Sequence, residues 1–208
     1  MVLAAESPVR ERRRAEILAA AGRSFAARGV RETTVRQIAE EVGVLAGSLY
    51  YYFETKESIL DALMRPYVDA LLERYRRCAE RPGDARSKLE WLIEASLLAM
   101  IEHPHENAIL QSELNRSFRD EHYRYLRDAV DEIERIYVAV IRSGMESGQI
   151  RGDIEARFLF RTLLDVVKGT AYWFDPETHR VPDLLAGWWK VLGEGVFPAS
   201  PSPRTPSR

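Results

Sequence analysis

One cysteine, Cys78, stands among 208 residues, so no disulfide can close within a single chain and a reducing compartment is the natural setting. Long apolar runs are missing as well. The longest near-apolar stretch, residues 95–101, includes Ser96 and is about seven residues long, against the roughly 20 of a spanning helix. No membrane span is expected. An excess of one charge is lacking too: 30 Lys+Arg meet 32 Asp+Glu, which excludes a uniformly basic nucleic-acid coat. The beginning of the chain does not read as a secretory signal, because Glu6 interrupts its short apolar piece and the arginines follow that piece. The expected location is the cytoplasm.

Signatures of catalysis are equally scarce. There is no G-x-S-x-G elbow, phosphate loop, dinucleotide fingerprint or H-E-x-x-H pair. The adjacent Glu40 and Glu41 would point about 100° apart on a helix, too divergent for shared acid/base work. His103-Pro104-His105, flanked by Glu102 and Glu106, lies at a proline-broken junction with no further His or Cys nearby, and reads as an exposed turn instead of a metal site. No enzyme activity, cofactor or metal is expected.

What the chain does have is helical spacing throughout, and the expected fold class is all-α with about nine helices. Ile17, Ala21 and Phe25, with Leu18, form a stripe on a helix over 10–28, which Gly29 ends. Thr34 and Gln37 have the spacing of a capping box, and Gly43 closes the short helix they open. A third short helix is expected over 45–53. Thr55 then caps a long helix over 56–81, whose apolar positions run from Ile59 to Tyr75 and which Pro66 should kink. Further helices are expected over 86–102, 106–117, 120–147, 153–174 and 183–195. The proline-rich end beyond Phe197 lacks material for a core and is expected to be disordered.

The charge total conceals a modest asymmetry. Residues 1–56 hold nine Lys+Arg against seven Asp+Glu, which leaves 21 against 25 for the remainder. Arg10, Arg12, Arg13 and Arg14 crowd the start of the first helix, where cations oppose the helix dipole at a cost of a few tenths of a kcal/mol each. A phosphate neighbour offsets that cost, so DNA contact is the favoured role of the cluster, with a solvated face as the alternative. Two short helices joined through a glycine turn are the arrangement of a helix-turn-helix reader. In the second of them Leu49 and Phe53, four apart, fix it on Ile38, Ala39, Val42 and Val44, and Gly47 suits close approach of backbone to DNA. Ser48 is placed to reach a base edge or phosphate, and Thr34 and Arg36 are further phosphate candidates.

Residues 34–60, TVRQIAEEVGVLAGSLYYYFETKESIL, resemble the DNA-binding signature of the tetracycline-repressor (TetR) family of bacterial regulators. The resemblance covers about 27 contiguous residues and extends to the preceding helix. It implies DNA contacts from Arg13, Thr34, Arg36, Ala46, Gly47, Ser48, Tyr50, Tyr51, Tyr52 and Lys56, with Tyr52 where the family usually has a phosphate-touching histidine and Lys56 as its phosphate-contacting lysine. Leu45 departs from the pattern, which most often places Ser or Thr there as a helix cap; the loss is worth roughly 1 kcal/mol. The Leu-x-Gly-Ser-Leu-Tyr variant is similar to a branch that regulates fatty-acid or steroid catabolism and responds to acyl-CoA thioesters.

The resemblance further implies a reader over residues 8–55, an effector-binding and dimerisation domain over 56–196, and a tail over 197–208. It implies a homodimer on palindromic double-stranded operator DNA, released by a small-molecule effector, which for this branch is an acyl-CoA. Trp91, Leu98, Leu114, Phe160, Leu164, Lys168 and Trp173 are available to line an effector pocket, although core packing is the simpler role for each apolar one. Lys168 and Arg161 can satisfy themselves on Asp165 in a local ion network. The alternatives are a non-inducible DNA-organising dimer and a small-molecule binding protein without an operator.

Overall fold

The computed structural model describes residues 8–114, 121–175 and 177–196, the side chains of 113, 114 and 194–196 excepted. Among the described residues there are nine α-helices and no strand: α1 (Pro8–Arg28), α2 (Val35–Val42), α3 (Ala46–Leu49), α4 (Lys56–Glu80), α5 (Ala85–Glu102), α6 (Pro104–Leu114), α7 (Arg124–Glu146), α8 (Ala156–Thr170) and α9 (Val181–Val196). No described helix is long and apolar enough to cross a membrane. The expected disordered tail lies outside the described residues.

Local chemistry sets the boundaries. Gln37 N–H donates to Thr34 Oγ1 at 3.2 Å while Thr34 N–H donates to Gln37 Oε1 at 2.8 Å, so the capping box that opens α2 is complete. Gly43 ends α2 in the left-handed region, at φ 74°, which glycine adopts without a Cβ clash. A second reciprocal pair opens α4: Ser58 N–H donates to Thr55 Oγ1 at 3.0 Å and Thr55 N–H to Ser58 Oγ at 3.2 Å. Pro66 lies inside α4 without ending it, and α6 begins on Pro104, in the first turn, where a missing N–H costs no helical hydrogen bond. The third helix is shorter than the 45–53 expected, a single turn. Nothing in Leu45 caps it, and the backbone beyond Leu49 is held in turns.

The chain forms two compact units, and the division falls inside α4. The first takes residues up to Leu71 with Glu102–Asp128; the second takes Leu72–Ile101 with the residues from Ala129 onward. In the first unit α1 packs on both α2 and α6 through a face of small residues. Ala20, Ala21 and Gly22 are buried, and a Cβ on Gly22 would stand 3.6 Å from both Leu63 and His105. This packing is why α6 and the first half of α4 join the short N-terminal helices. Farther along, Arg65 stacks over the Tyr125 ring at 4.1 Å and Asp61 faces His122 at 3.4 Å.

The second unit is built on Leu89, Leu92, Leu97, Ile141, Phe160 and Leu163. At its centre are three hydroxyls that the apolar pattern conceals. Ser96 Oγ donates to Leu92 O at 2.9 Å, which uses its one proton. Tyr75 and Tyr137 therefore both donate to Ser96 Oγ, each at 2.8 Å. Burial pushes the Tyr75 hydroxyl up to about 12 and raises Tyr137 well above the phenol range, so the cluster stays neutral. Close approach elsewhere demands glycine: a Cβ on Gly144 would stand 2.6 Å from Ile150 Cδ1 and 2.7 Å from Ala85 Cβ. Cys78, half-buried, directs its thiol to Trp91 O at 3.6 Å.

Candidate nucleic-acid interface

The reader is an exposed segment on a buried anchor. Leu49 and Phe53 are buried, as the four-residue spacing predicts, and Ile38 and Ala39 of α2 supply buried apolar partners beside them. Around that anchor Gly47, Ser48, Tyr50 and Tyr51 are exposed, whereas Ala46 and Tyr52 are half-buried. No atom lies within 4 Å of the point where a Cβ on Gly47 would stand, so this glycine faces open space. Tyr51 and Tyr52 meet edge to face at 5.3 Å, which orients them mutually while leaving Tyr51 on the surface.

The arginines of α1 turn out to be neighbours of this segment. Arg10 lies over the Tyr51 ring at 5.2 Å and Arg14 over Phe53 at 4.9 Å. Their i,i+4 spacing puts both on one face of α1, and each guanidinium supports an aromatic of the one-turn reader through cation–π attraction. Arg13 is turned to Glu16 at 2.8 Å. Sequence reasoning assigned this cluster to phosphate; it missed the stacking, for which the matching four-residue interval was the available signal.

Three expected phosphate ligands are occupied within the chain. The Thr34 hydroxyl accepts the Gln37 N–H and lies 3.1 Å from Gln37 Oε1. Arg36 Nε donates to Glu40 at 2.9 Å, on a surface where such a pair is readily exchanged. Lys56 departs furthest from expectation. Its Nζ donates to Val30 O at 2.8 Å, Thr33 O at 2.9 Å and Arg31 O at 3.2 Å. All three ammonium donors are thereby used, and the lysine ties the α1–α2 connection to the first residue of α4. A second tie joins α1 to α2: Arg23 Nε donates to Glu41 at 2.7 Å and Ser24 Oγ at 2.8 Å. Burial pushes the Glu41 carboxyl up, but the bonds from Arg23 and Ser24, with the charges of Arg23 and Arg28, hold it below its ordinary value.

The residues expected around an effector are dispersed. Trp91 is covered by Arg81, 4.0 Å above its ring. Phe160 is core, 5.4 Å from Tyr137, and Leu98 and Leu164 are half-buried. Trp173 is 51% exposed beside His179, and the side chain of Leu114 lies outside the described residues. No ion pair joins Arg161, Asp165 and Lys168; the first two are exposed and the third half-buried, because the face of α8 that carries them with Phe158 points outward. A cavity of about 360 Å3 does lie in the second unit, with Ile136 and Val140 of α7, Arg76 and Ala79 of α4 and Lys88 of α5 among its walls. None of the seven expected residues lines it. Among the described residues no three His, Cys, Asp or Glu side chains gather as for a metal ion.

Comparisons with known proteins agree with this architecture. A family model described as "Bacterial regulatory proteins, tetR family" matches residues 17–63, and one described as "Tetracyclin repressor-like, C-terminal domain" matches residues 82–188. The chain is 35% identical over 174 residues to the HTH-type transcriptional repressor KstR2 of Rhodococcus jostii (strain RHA1), covering 84% of this chain and 85% of that protein. It is 27% identical to the fatty acid metabolism regulator protein of Bacillus subtilis (strain 168), over 74% of this chain and 79% of that protein. Among solved structures, the ketosteroid transcriptional regulator KstR2 of Mycobacterium tuberculosis superposes with a TM-score of 0.81 at 30% identity, covering 90% of this chain and 96% of that one.

Proposed function

The chain belongs to the TetR family of bacterial regulatory proteins, and from that premise we propose that it represses transcription as a cytoplasmic homodimer on a palindromic operator and lets go when a small hydrophobic or acyl-CoA-type effector binds. The observation that carries this reading is the exposed set Gly47, Ser48, Tyr50 and Tyr51 fixed on the buried Leu49 and Phe53. Residues 8–55 then read DNA, with Ala46, Gly47, Ser48, Tyr50 and Tyr51 at the bases and adjoining phosphates and Arg13, Thr34, Arg36 and Tyr52 at its edges, while Lys56 holds the α1–α2 connection that supports them. Residues 56–196 sense the effector and dimerise. The protein works as a regulator and not as a catalyst.

A second copy is the natural cover for the outer face of α8 and α9. Phe158 is 63% exposed, and Val191 and, just beyond α8, Tyr172 are exposed further still. On the same two helices Gly169 and Gly187 have no atom near a would-be Cβ, which leaves room for close helix approach. The relatives named for ketosteroid and fatty acid regulation support a lipid-derived effector. The cavity between α4, α5 and α7 has Ala79, Ile136 and Val140 in its walls with Lys88, Glu80 and Arg76, the last also paired with Glu132 at 3.2 Å; its apolar residues and two cations suit an acidic or thioester-linked lipid.

Release requires that the effector bind the DNA-incompetent arrangement more tightly, since only differential affinity shifts populations. Helix α4 is suited to carry that shift. Lys56 at its start is bonded to the loop before α2, and Arg76, Ala79 and Glu80 at its end line the cavity. A small swing alters the separation of two readers that must meet half-sites about 34 Å apart, or a multiple of that. Footprinting of the DNA flanking the gene, repeated with acyl-CoA thioesters and with unesterified hydrophobic acids, tests the reading. Protection lost with either class supports induction; protection indifferent to both leaves a DNA-organising dimer.

A further inference from the structure

We propose that Leu45 is a base-reading residue that recognises the 5-methyl group of a thymine in each operator half-site; the inference rests on the operator reading above. Leu45 occupies the N-cap of α3 and makes no side-chain bond there. Only its carbonyl serves the helix, accepting from Ser48 N–H at 2.9 Å. At the same time its side chain is 81% exposed. The chain thus forgoes a capping hydroxyl, which would satisfy an otherwise orphaned N–H, and leaves a branched hydrocarbon in water, with no return inside the protein for either cost. A partner that presents hydrocarbon at this spot supplies that return.

The setting narrows that partner. Residues at the N-terminus of a recognition helix are the ones that meet base edges in the major groove. The two residues after Leu45 are small: Ala46, then Gly47, beside which nothing lies within 4 Å of a would-be Cβ. No bulky neighbour on α3 therefore holds the leucine away from a groove floor. Among the donors and acceptors displayed on that floor, the thymine methyl is the apolar feature. Tyr50 and Tyr51, exposed beyond the same turn, and Ser48 supply the polar contacts. Leu45 supplies contact that no hydrogen bond can replace.

Deoxyuridine differs from thymidine by that methyl alone, which makes the test direct. With the full chain and the operator defined by footprinting, each thymine of the protected half-sites is replaced in turn by deoxyuridine, and the dissociation constant is measured by fluorescence anisotropy for wild type, Leu45→Ala and Leu45→Ser. At one thymine per half-site the wild type loses about fourfold in affinity, the worth of burying one methyl, and about fifteenfold when both half-sites are changed. In Leu45→Ala the ratio at that thymine falls to one. Leu45→Ser restores a capping hydroxyl, so it melts no lower than wild type, yet it too loses the discrimination, which separates base reading from the integrity of α3. The ratio is independent of salt, unlike the phosphate contribution. A wild type indifferent to every deoxyuridine, or a discrimination that survives in both variants, overturns the proposal. A chain that binds neither duplex overturns the operator reading instead.

Discussion

Replacing Lys56 by methionine separates two roles for one ammonium. In the structure its three donors close on Val30, Thr33 and Arg31 carbonyls, two of them within 2.9 Å. A hydrogen bond from a charged donor contributes about 1.5–3 kcal/mol, but the three share one half-exposed ion and the freed carbonyls regain water, so the whole tie is worth about 2–3 kcal/mol. For a chain of this size that lowers the melting temperature by roughly 5–10 °C. Methionine retains the aliphatic stem, so packing is little changed and the loss reports on the polar tie. The assays are thermal and urea unfolding followed by circular dichroism, alongside operator binding over a salt series. The tie predicts a clear drop in stability, with operator affinity falling through a disordered α1–α2 connection and a salt slope close to that of wild type. A variant that melts within about 1 °C of wild type but binds with a slope reduced by about one phosphate contact would refute this reasoning and return Lys56 to the DNA backbone.

Other perturbations test the same geometry. Arg14→Lys keeps the charge but loses the stack on Phe53, worth about 0.5–1 kcal/mol at an exposed site; operator affinity falls two- to fivefold at an unchanged salt slope, and an unchanged affinity would dismiss the stack as incidental. Ser96→Ala strands two buried phenols, so urea unfolding shows a loss of about 2–4 kcal/mol, while a loss under 1 kcal/mol means the hydroxyls find other partners. Glu41 has its carboxyl held below the usual 4.5, so its stabilising contribution is present above that value and fades as pH falls through the lower, folded-state one. The stability gap between wild type and Glu41→Gln therefore narrows on acidification from pH 7 to pH 4, and a gap that widens contradicts the assignment.

The helices were legible because their signals are local. The Thr34–Gln37 box, the Thr55 cap and the glycine at 43 act within one turn, and the 3.6-residue stripe of α4 persists over many. The contacts that spacing did not announce lie far apart in sequence. Lys56 finds its carbonyls 23 to 26 residues upstream, and no composition or spacing announces three backbone oxygens gathered by a loop. Family resemblance pointed that lysine outward instead. Ser96 was visible only as an interruption in an apolar stretch; a serine on a buried helix face needs a partner, and that signal was available, but its tyrosines are 21 and 41 residues away. The one-turn α3 was overread because four residues are too few for periodicity to define, while Phe53 is fixed by packing outside the helix. The expected Arg161–Asp165–Lys168 network presumed a buried face that in a single chain lies open.

Cys78 gives this protein a built-in reporter. Burial, with the charge of Glu94 adding to it, raises the thiol above its ordinary range, and little thiolate exists at neutral pH to react. Because no second cysteine competes, the rate at which a small alkylating reagent consumes thiol reports on one place: the α4–α5 contact where the half-buried Sγ meets the Trp91 carbonyl. A molecule that tightens the second unit slows that chemistry, and one that loosens it speeds it. Unlabelled protein and a colorimetric disulfide are enough to screen effectors by the hand of their effect, before any operator is known.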